Sequence, residues 1–201
     1  MTFVTRREGI VPVRNIGDYL AWSERVSEFL QAQPGFQGSF ILNSLAHLDK
    51  YTSLTLWDSR QAWRAAIQST ALVSFLKANS TTGMFTANGS GLGYEVVLEI
   101  DGPGRAGVVN LNDFIVDVDG AVPAFIESRR VYWEGAREGD PRFVRRLLLR
   151  ELGSFNRFVG FTLHTEFAPP GERGGSWRPP ARSNFTTLPF TAEQFEIVLQ
   201  V

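Results

Sequence analysis

The chain of 201 residues contains no cysteine, which excludes disulfide stapling, thiolate catalysis and cysteine-ligated metal. Histidine is almost as scarce: His47 and His164 are the two present, and imidazoles that far apart rarely form a metal site, so none is expected. An excess of either charge is also lacking. Twenty Lys and Arg against 21 Asp and Glu leave a net charge of −1, so neither nucleic acid nor an anionic membrane is an expected partner. No apolar run is long enough to span a bilayer, and the opening MTFVTRREG has no signal-peptide core, so a cytoplasmic protein is expected by default. Gly102-Pro-Gly104 and Gly89-Ser-Gly91-Leu-Gly93 are glycine-rich, but neither follows a strand and opens a helix as a phosphate-binding loop must.

What the chain does have is hydrophobic patterning. From Pro34 to Leu76 it reads as strand, turn, strand, helix. Phe36, Gly38, Phe40 and Leu42 alternate with Gln37, Ser39, Ile41 and Asn43. In the same way Tyr51, Ser53, Thr55 and Trp57 alternate with Thr52, Leu54 and Leu56. Period two is the strand signal. Leu45 to Asp49 is short enough for a hairpin connection. Asp58 with Gln61 three residues on resembles a capping box, and the period then becomes helical through Ala62, Trp63, Ala66 and Ile67.

This hairpin returns. Phe143 follows Phe36 by 107 residues (143 − 36), and at the same offset Pro34 falls on Pro141, Leu42 on Leu149, Tyr51 on Phe158, Leu54 on Phe161, Thr55 on Thr162 and Trp57 on His164. The length suits two domains of about 100 residues each. In the first, Phe3 to Pro12 is extended. Asn15 caps a helix with stripe Tyr19, Leu20, Trp22, Val26, Phe29 and Leu30, the hairpin follows, and Ser69-Thr70 breaks the second helix. A loop from Ser80 to Gly93 follows, with Met84 and Phe85 packed down, and then a strand from Tyr94 to Ile100. This order, βαββαβ, is the ferredoxin-like plan.

The turn Asp101-Gly-Pro-Gly104 divides the chain into repeats 1–103 and 104–201. The second repeat has a strand over Val108 to Val118, a helix capped by Asp119 with stripe Val122, Phe125, Ile126, Tyr132, Trp133 and Ala136, and the repeated hairpin. Where a second helix belongs it has FAPPGERGGSWRPPARSNFTTLP, which proline and glycine bar from helix; Trp177 at its centre argues for packing over plain disorder. Glu193 to Val201 is the closing strand. The expected fold is α+β: two ferredoxin-like βαββαβ repeats forming an intramolecular dimeric α/β barrel, the second repeat without its second helix.

Pro34-Gly35-Phe36, Gly38, Leu56-Trp57 and Ser59, with the helix that follows, resemble the antibiotic biosynthesis monooxygenase family, whose members are dimeric α+β barrels. The resemblance covers most of the first half, and the second half only through its hairpin. It implies a cofactor-independent monooxygenase acting on a polycyclic aromatic small molecule with molecular oxygen, the protein desolvating and orienting a substrate that reduces oxygen itself. It implies no cofactor, and a monomeric pseudo-dimer or weak homodimer. Haem-cleaving relatives use a helix-borne histidine where this chain has Ile67, which argues against haem.

Trp57 matches the family's strand-end tryptophan that lines the pocket, or else anchors the helix as a core residue. Trp22, Tyr51, Ser53 and Trp63 are the expected substrate-binding residues beside it, with Ser53 standing where the family's oxygenases have asparagine. His164, replacing Trp57 in the second copy, is a candidate general base or phenol orienter, or simply a half-exposed strand residue. Arg145, Arg146 and Arg150 either offer charge to an anionic substrate or pair with Glu151 and Asp140. The alternatives to an oxygenase are a cyclase or isomerase using the same pocket, and a non-catalytic ligand-binding or structural barrel.

Overall fold

The computed structural model of the chain describes residues 1–79, 84–85, 87–88, 91–117, 120–167 and 191–201. The loop from 168 to 190, with Trp177, and the expected helix cap Asp119 lie outside the described residues. The chain divides into two compact units: Met1–Glu95 with Glu196–Val201, and Val96–Phe195. The sequence repeat boundary at 103/104 lies just past the strand in which the first division falls.

Unit 1 starts with β1 (Phe3–Ile10) and a single 3-10 turn, then α1 (Ile16–Gln31), β2 (Phe36–Ser44) and β3 (Lys50–Trp57). α2 (Arg60–Gln68), α3 (Thr70–Ala78), the two-residue β4 (Ala87–Asn88) and the start of β5 (Leu92–Asp101) follow. β3 is the centre. It pairs antiparallel with β2 on one side and β1 on the other, with Phe3 opposite Trp57 and Arg7 opposite Ser53. β1 pairs in turn with Leu92–Glu95 of β5, which begins two residues earlier than the sequence suggests. On the far side of β2, the backbone of Ser39 exchanges two hydrogen bonds with Val201 at 2.8 and 3.1 Å.

The helix ends refine the sequence reading. α2 is capped by Ser59, whose hydroxyl accepts from the Ala62 amide at 3.1 Å, and not by Asp58. Asp58 is held elsewhere: its amide donates to the Gly35 carbonyl, and its carboxylate accepts from Gln37. Ser69 does separate α2 from α3. Its hydroxyl donates to the Ala66 carbonyl at 2.8 Å and accepts from the Leu72 amide at 3.1 Å, finishing one helix and starting the next. Asn15 stands at the start of α1 without capping it; its amide group donates to the Met84 carbonyl.

Unit 2 begins in β5 and continues with β6 (Val108–Ile115), α4 (Val122–Gly139), β7 (Phe143–Glu151), β8 (Arg157–His164) and the first part of β9 (Thr191–Gln200). β8 is central here, between β6 and β7. The hairpin repeats with its ends and its irregularity intact. β2 and β7, and β3 and β8, begin and end at an offset of 107, and the register slip at Phe36/Gly38 recurs at Phe143/Arg145. Among the described residues α4 is the one helix of unit 2. Pro123 lies in its first turn, where its missing N–H costs nothing. The fold class is α+β with two ferredoxin-like repeats, as the sequence implies. Among the described residues no helix is long and apolar enough to cross a membrane.

Candidate functional site

Unit 1 has a partly open cavity of about 490 Å³ between its strands and its helices. Thr5 to Gly9 of β1, Ser39 and Ile41 of β2, and Tyr51, Ser53, Leu54, Thr55 and Trp57 of β3 line it. Tyr19, Trp22, Ser23, Val26 and Ser27 of α1 face them, with Trp63 and Ile67 of α2, Leu72 and Leu76 of α3, and Phe85 closing the rest. The structure therefore brings Trp22, Tyr51, Ser53, Trp57 and Trp63 to one cavity. His164 belongs to unit 2 and is not among its lining residues.

Space exists here because the buried face of α1 is not the aromatic stripe alone. Its buried residues are Tyr19, Ser23, Ser27 and Leu30, a row at three- and four-residue spacing with two serines at its centre. The Ser27 and Ser39 hydroxyls bond to each other at 3.0 Å, so small side chains meet where helix and sheet are nearest. Hydrophobic periodicity passes over buried serines, and these were the residues the sequence reading missed. Phe75, in contrast, stacks on Phe29 and does not line the cavity.

One end of the cavity is a set of rings. Tyr19 lies 6.3 Å from Trp22, 4.9 Å edge-on from Tyr51 and 5.6 Å from Phe85, centroid to centroid. Burial pushes the Tyr19 phenol up to about 12, with nearby Ser23 and Arg7 offsetting part of the rise, and burial raises Tyr51 as well. Both are uncharged hydrogen-bonding phenols at neutral pH. The Ser23 hydroxyl is buried and lacks a hydrogen bond of standard geometry. Arg7 lines the cavity with an exposed side chain and makes no ion pair among the described residues. Glu8, the one carboxylate among the lining residues, is tied to Arg6 and Lys50.

The other end holds Trp57 and Trp63. Trp57 is 1% exposed, edge-on to Phe36 at 5.3 Å. Its indole N–H donates to the Thr55 hydroxyl at 2.9 Å, and Thr55 bonds Thr5 across the strands. The indole thus offers a ring face and no free donor. Trp63 tilts against Phe3 at 5.1 Å; back among the rings of the first end, the Trp22 N–H is taken by the Asn79 carbonyl. The chemistry available is apolar aromatic walls with a few hydroxyls and two arginines, of which Arg6 is paired with Glu8, the composition of a small-molecule site.

In unit 2, His164 ends β8. Asn110 accepts from Gln194 through Oδ1 and offers its amide to His164 Nδ1 at 3.3 Å, which places the ring proton on Nε2, 3.6 Å from Asp140. Burial, with Arg146 and Arg142 nearby, lowers the imidazole to about 4 against the pull of Asp140. Burial works to raise Asp140, but its bonds from Arg142 outweigh this and keep it below the usual carboxylate range. His164 is therefore neutral at pH 7, and its side chain is more buried than a half-exposed strand residue.

Arg145 and Arg146 on β7 also depart from expectation. Arg145 pairs with Glu99 and Asp101, not with Glu151 or Asp140. Arg146 is buried, its guanidinium 5.9 Å from the Trp133 ring and 5.4 Å from Phe143. A second buried guanidinium, Arg129 on α4, lies between Phe114 at 5.7 Å and Phe125 at 5.4 Å. Each ring contact returns about 2 kcal/mol or more to a desolvated cation, against an effective cost of several kcal/mol for burying one unpaired. Among the described residues no group of acidic or histidine side chains has the makings of a metal site.

Residues 20–78, which run from α1 through α3, match the antibiotic biosynthesis monooxygenase family. No curated protein matches the chain. Solved structures resemble all of it. A candidate monooxygenase from Lactobacillus acidophilus is 10% identical with a TM-score of 0.72, the match covering 96% of this chain and 92% of that one. A second, from Fusobacterium nucleatum, is 10% identical with a TM-score of 0.73 over 99% and 93%. An anthrone oxidase-like protein is 11% identical with a TM-score of 0.65 over 100% and 92%. At such identity the likeness is one of fold. The cavity walls from Tyr19 to Leu76 thus fall almost wholly inside the stretch that matches the antibiotic biosynthesis monooxygenase family.

Proposed function

We propose that unit 1 is the catalytic half of a cofactor-independent monooxygenase acting on an aromatic, polyketide-type small molecule. The observation that carries this reading is the cavity of about 490 Å³, walled by aromatic rings and lined by the domain that matches the family. The substrate is an acidic aromatic such as a phenol with a ring-flanked methylene. The reaction inserts one oxygen atom: CH₂ + O₂ gives C=O + H₂O, with all electrons supplied by substrate. Trp57, Trp63 and Trp22 provide ring surface that fixes the polycycle and excludes water. The Tyr51 and Tyr19 phenols and the Ser53 hydroxyl donate to substrate oxygens, and Arg7 stabilises the anion formed when the substrate loses its proton. His164 is a second candidate, for a separate role in unit 2.

The test is oxygen uptake by the purified full chain with anthrone-type phenols, after exhaustive chelation. One O₂ consumed per substrate, unchanged by the chelator and reduced at least tenfold by Arg7→Ala, supports the reading. A requirement for stoichiometric flavin, haem or iron would sink it. Saturable binding of the same phenols without turnover turns the assignment to the non-catalytic ligand-binding protein. For that alternative the specific observation is the lack of a free carboxylate or histidine among the lining residues.

A further inference from the structure

Comparing the units position by position shows what replaced the small residues of the cavity. α4 follows α1 at an offset of 106, which puts Phe125, Arg129 and Trp133 where unit 1 has Tyr19, Ser23 and Ser27; these are the buried residues of α4 and, apart from Leu30, of α1. At the hairpin offset of 107, Arg146 stands where unit 1 has Ser39. The hydroxyl pair Ser27–Ser39 is thus represented in unit 2 by Trp133 and Arg146, again in contact.

Both arginine residues are more than nine-tenths buried. Arg129 Nε and Arg146 Nε and Nη1 are buried donors with no acceptor among the described residues. They share Tyr132: Arg129 lies 5.9 Å from its ring, and Arg146 senses its phenol. The neighbouring acids are committed, Asp140 to Arg142 and both Glu127 and Glu134 to Arg130. Rings alone do not satisfy N–H donors that lie in the guanidinium plane. A carboxylate or phosphate does, because its oxygens match the planar fork.

We propose that the α4 face of unit 2 is an oxyanion-binding site, in which Arg129 and Arg146 grip the carboxylate or phosphate group of a small molecule among Phe114, Phe125, Trp133 and Phe143. The site is separate from the unit 1 cavity and does not depend on catalysis there.

The full chain, dialysed into a chloride buffer, is titrated separately with inorganic phosphate and with benzoate at constant ionic strength. Melting temperature and tryptophan emission are followed, with Trp133→Phe identifying the reporting ring. The expected result is a saturable rise of several degrees with one of the two probes, which identifies the headgroup. Arg129→Met and Arg146→Met abolish that rise, and each melts at or above the wild type in chloride alone because an unpaired buried charge has gone. Arg146→Lys keeps the charge but loses the fork, and binds the probe at least tenfold more weakly. No saturable rise with either probe overturns the proposal, as does a rise that survives in both Met variants. So does a wild type indifferent to both probes whose Met variants melt lower, which makes the arginines braces for the rings.

Discussion

Gly35 has a φ of +80°, and a Cβ at this position would lie 2.6 Å from the Ala62 Cβ. The glycine of the Pro34-Gly35-Phe36 motif is therefore fixed twice, by backbone conformation and by the close approach of α2. Gly35→Ala is expected to cost about 2 to 3 kcal/mol in denaturant unfolding, by adding left-handed strain and steric overlap. His164 gives a residue-scale effect of the opposite kind, visible in pH. Its imidazole titrates near 4 when folded and near 6.5 when unfolded, so the unfolded chain binds more protons across that window. Stability should rise with pH from about 4 to about 6.5, by on the order of 3 kcal/mol from this group. His164→Asn should flatten that part of the pH–stability curve. An unchanged slope in the variant means another group is responsible.

At the scale of the element, legibility depended on what each signal measures. Strands β2, β3, β7 and β8 were readable because alternation reports burial of one face, and the repeat of Phe36 at Phe143 and Trp57 at His164 fixed their correspondence. The break at Ser69 was readable because serine is a good cap; Ser69→Ala, which removes one hydroxyl from two helix ends, should cost about 1 to 2 kcal/mol. The start of α2 was misplaced by one residue, since Asp58 and Ser59 both suit the role and only the Gly35 and Gln37 contacts decide between them. The helix faces misled further. An apolar stripe picks out Tyr19, Trp22 and Val26 but gives no weight to Ser23 and Ser27, whose small size opens the cavity, nor to Arg129, buried on the same face of α4. If Ser23 makes room for a ligand, Ser23→Leu should fill that space. The variant should keep or raise the melting temperature while losing aromatic binding by tenfold or more, as measured by tryptophan quenching.

For the molecule as a whole, the two units do not coincide with the two halves of the sequence. Unit 1 takes its main body from the first 95 residues and a strand segment from 196 to 201. That segment hydrogen-bonds Ser39 on β2, beside the Ser27 contact that borders the cavity. A fragment of residues 1–103 is therefore expected to show weakened or absent cooperative unfolding, and a peptide of residues 191–201 added in excess should restore part of it. A 1–103 fragment that melts like the intact chain would show that the C-terminal segment is dispensable.

This shared strand also sets a clock. Unit 1 is written first, yet the piece that pairs with β2 leaves the ribosome only after the whole of unit 2 has been made. At about 5 to 20 residues per second, the hundred or so intervening residues hold the first unit incomplete for roughly 5 to 20 s. During that interval its β2 edge is open to other nascent chains.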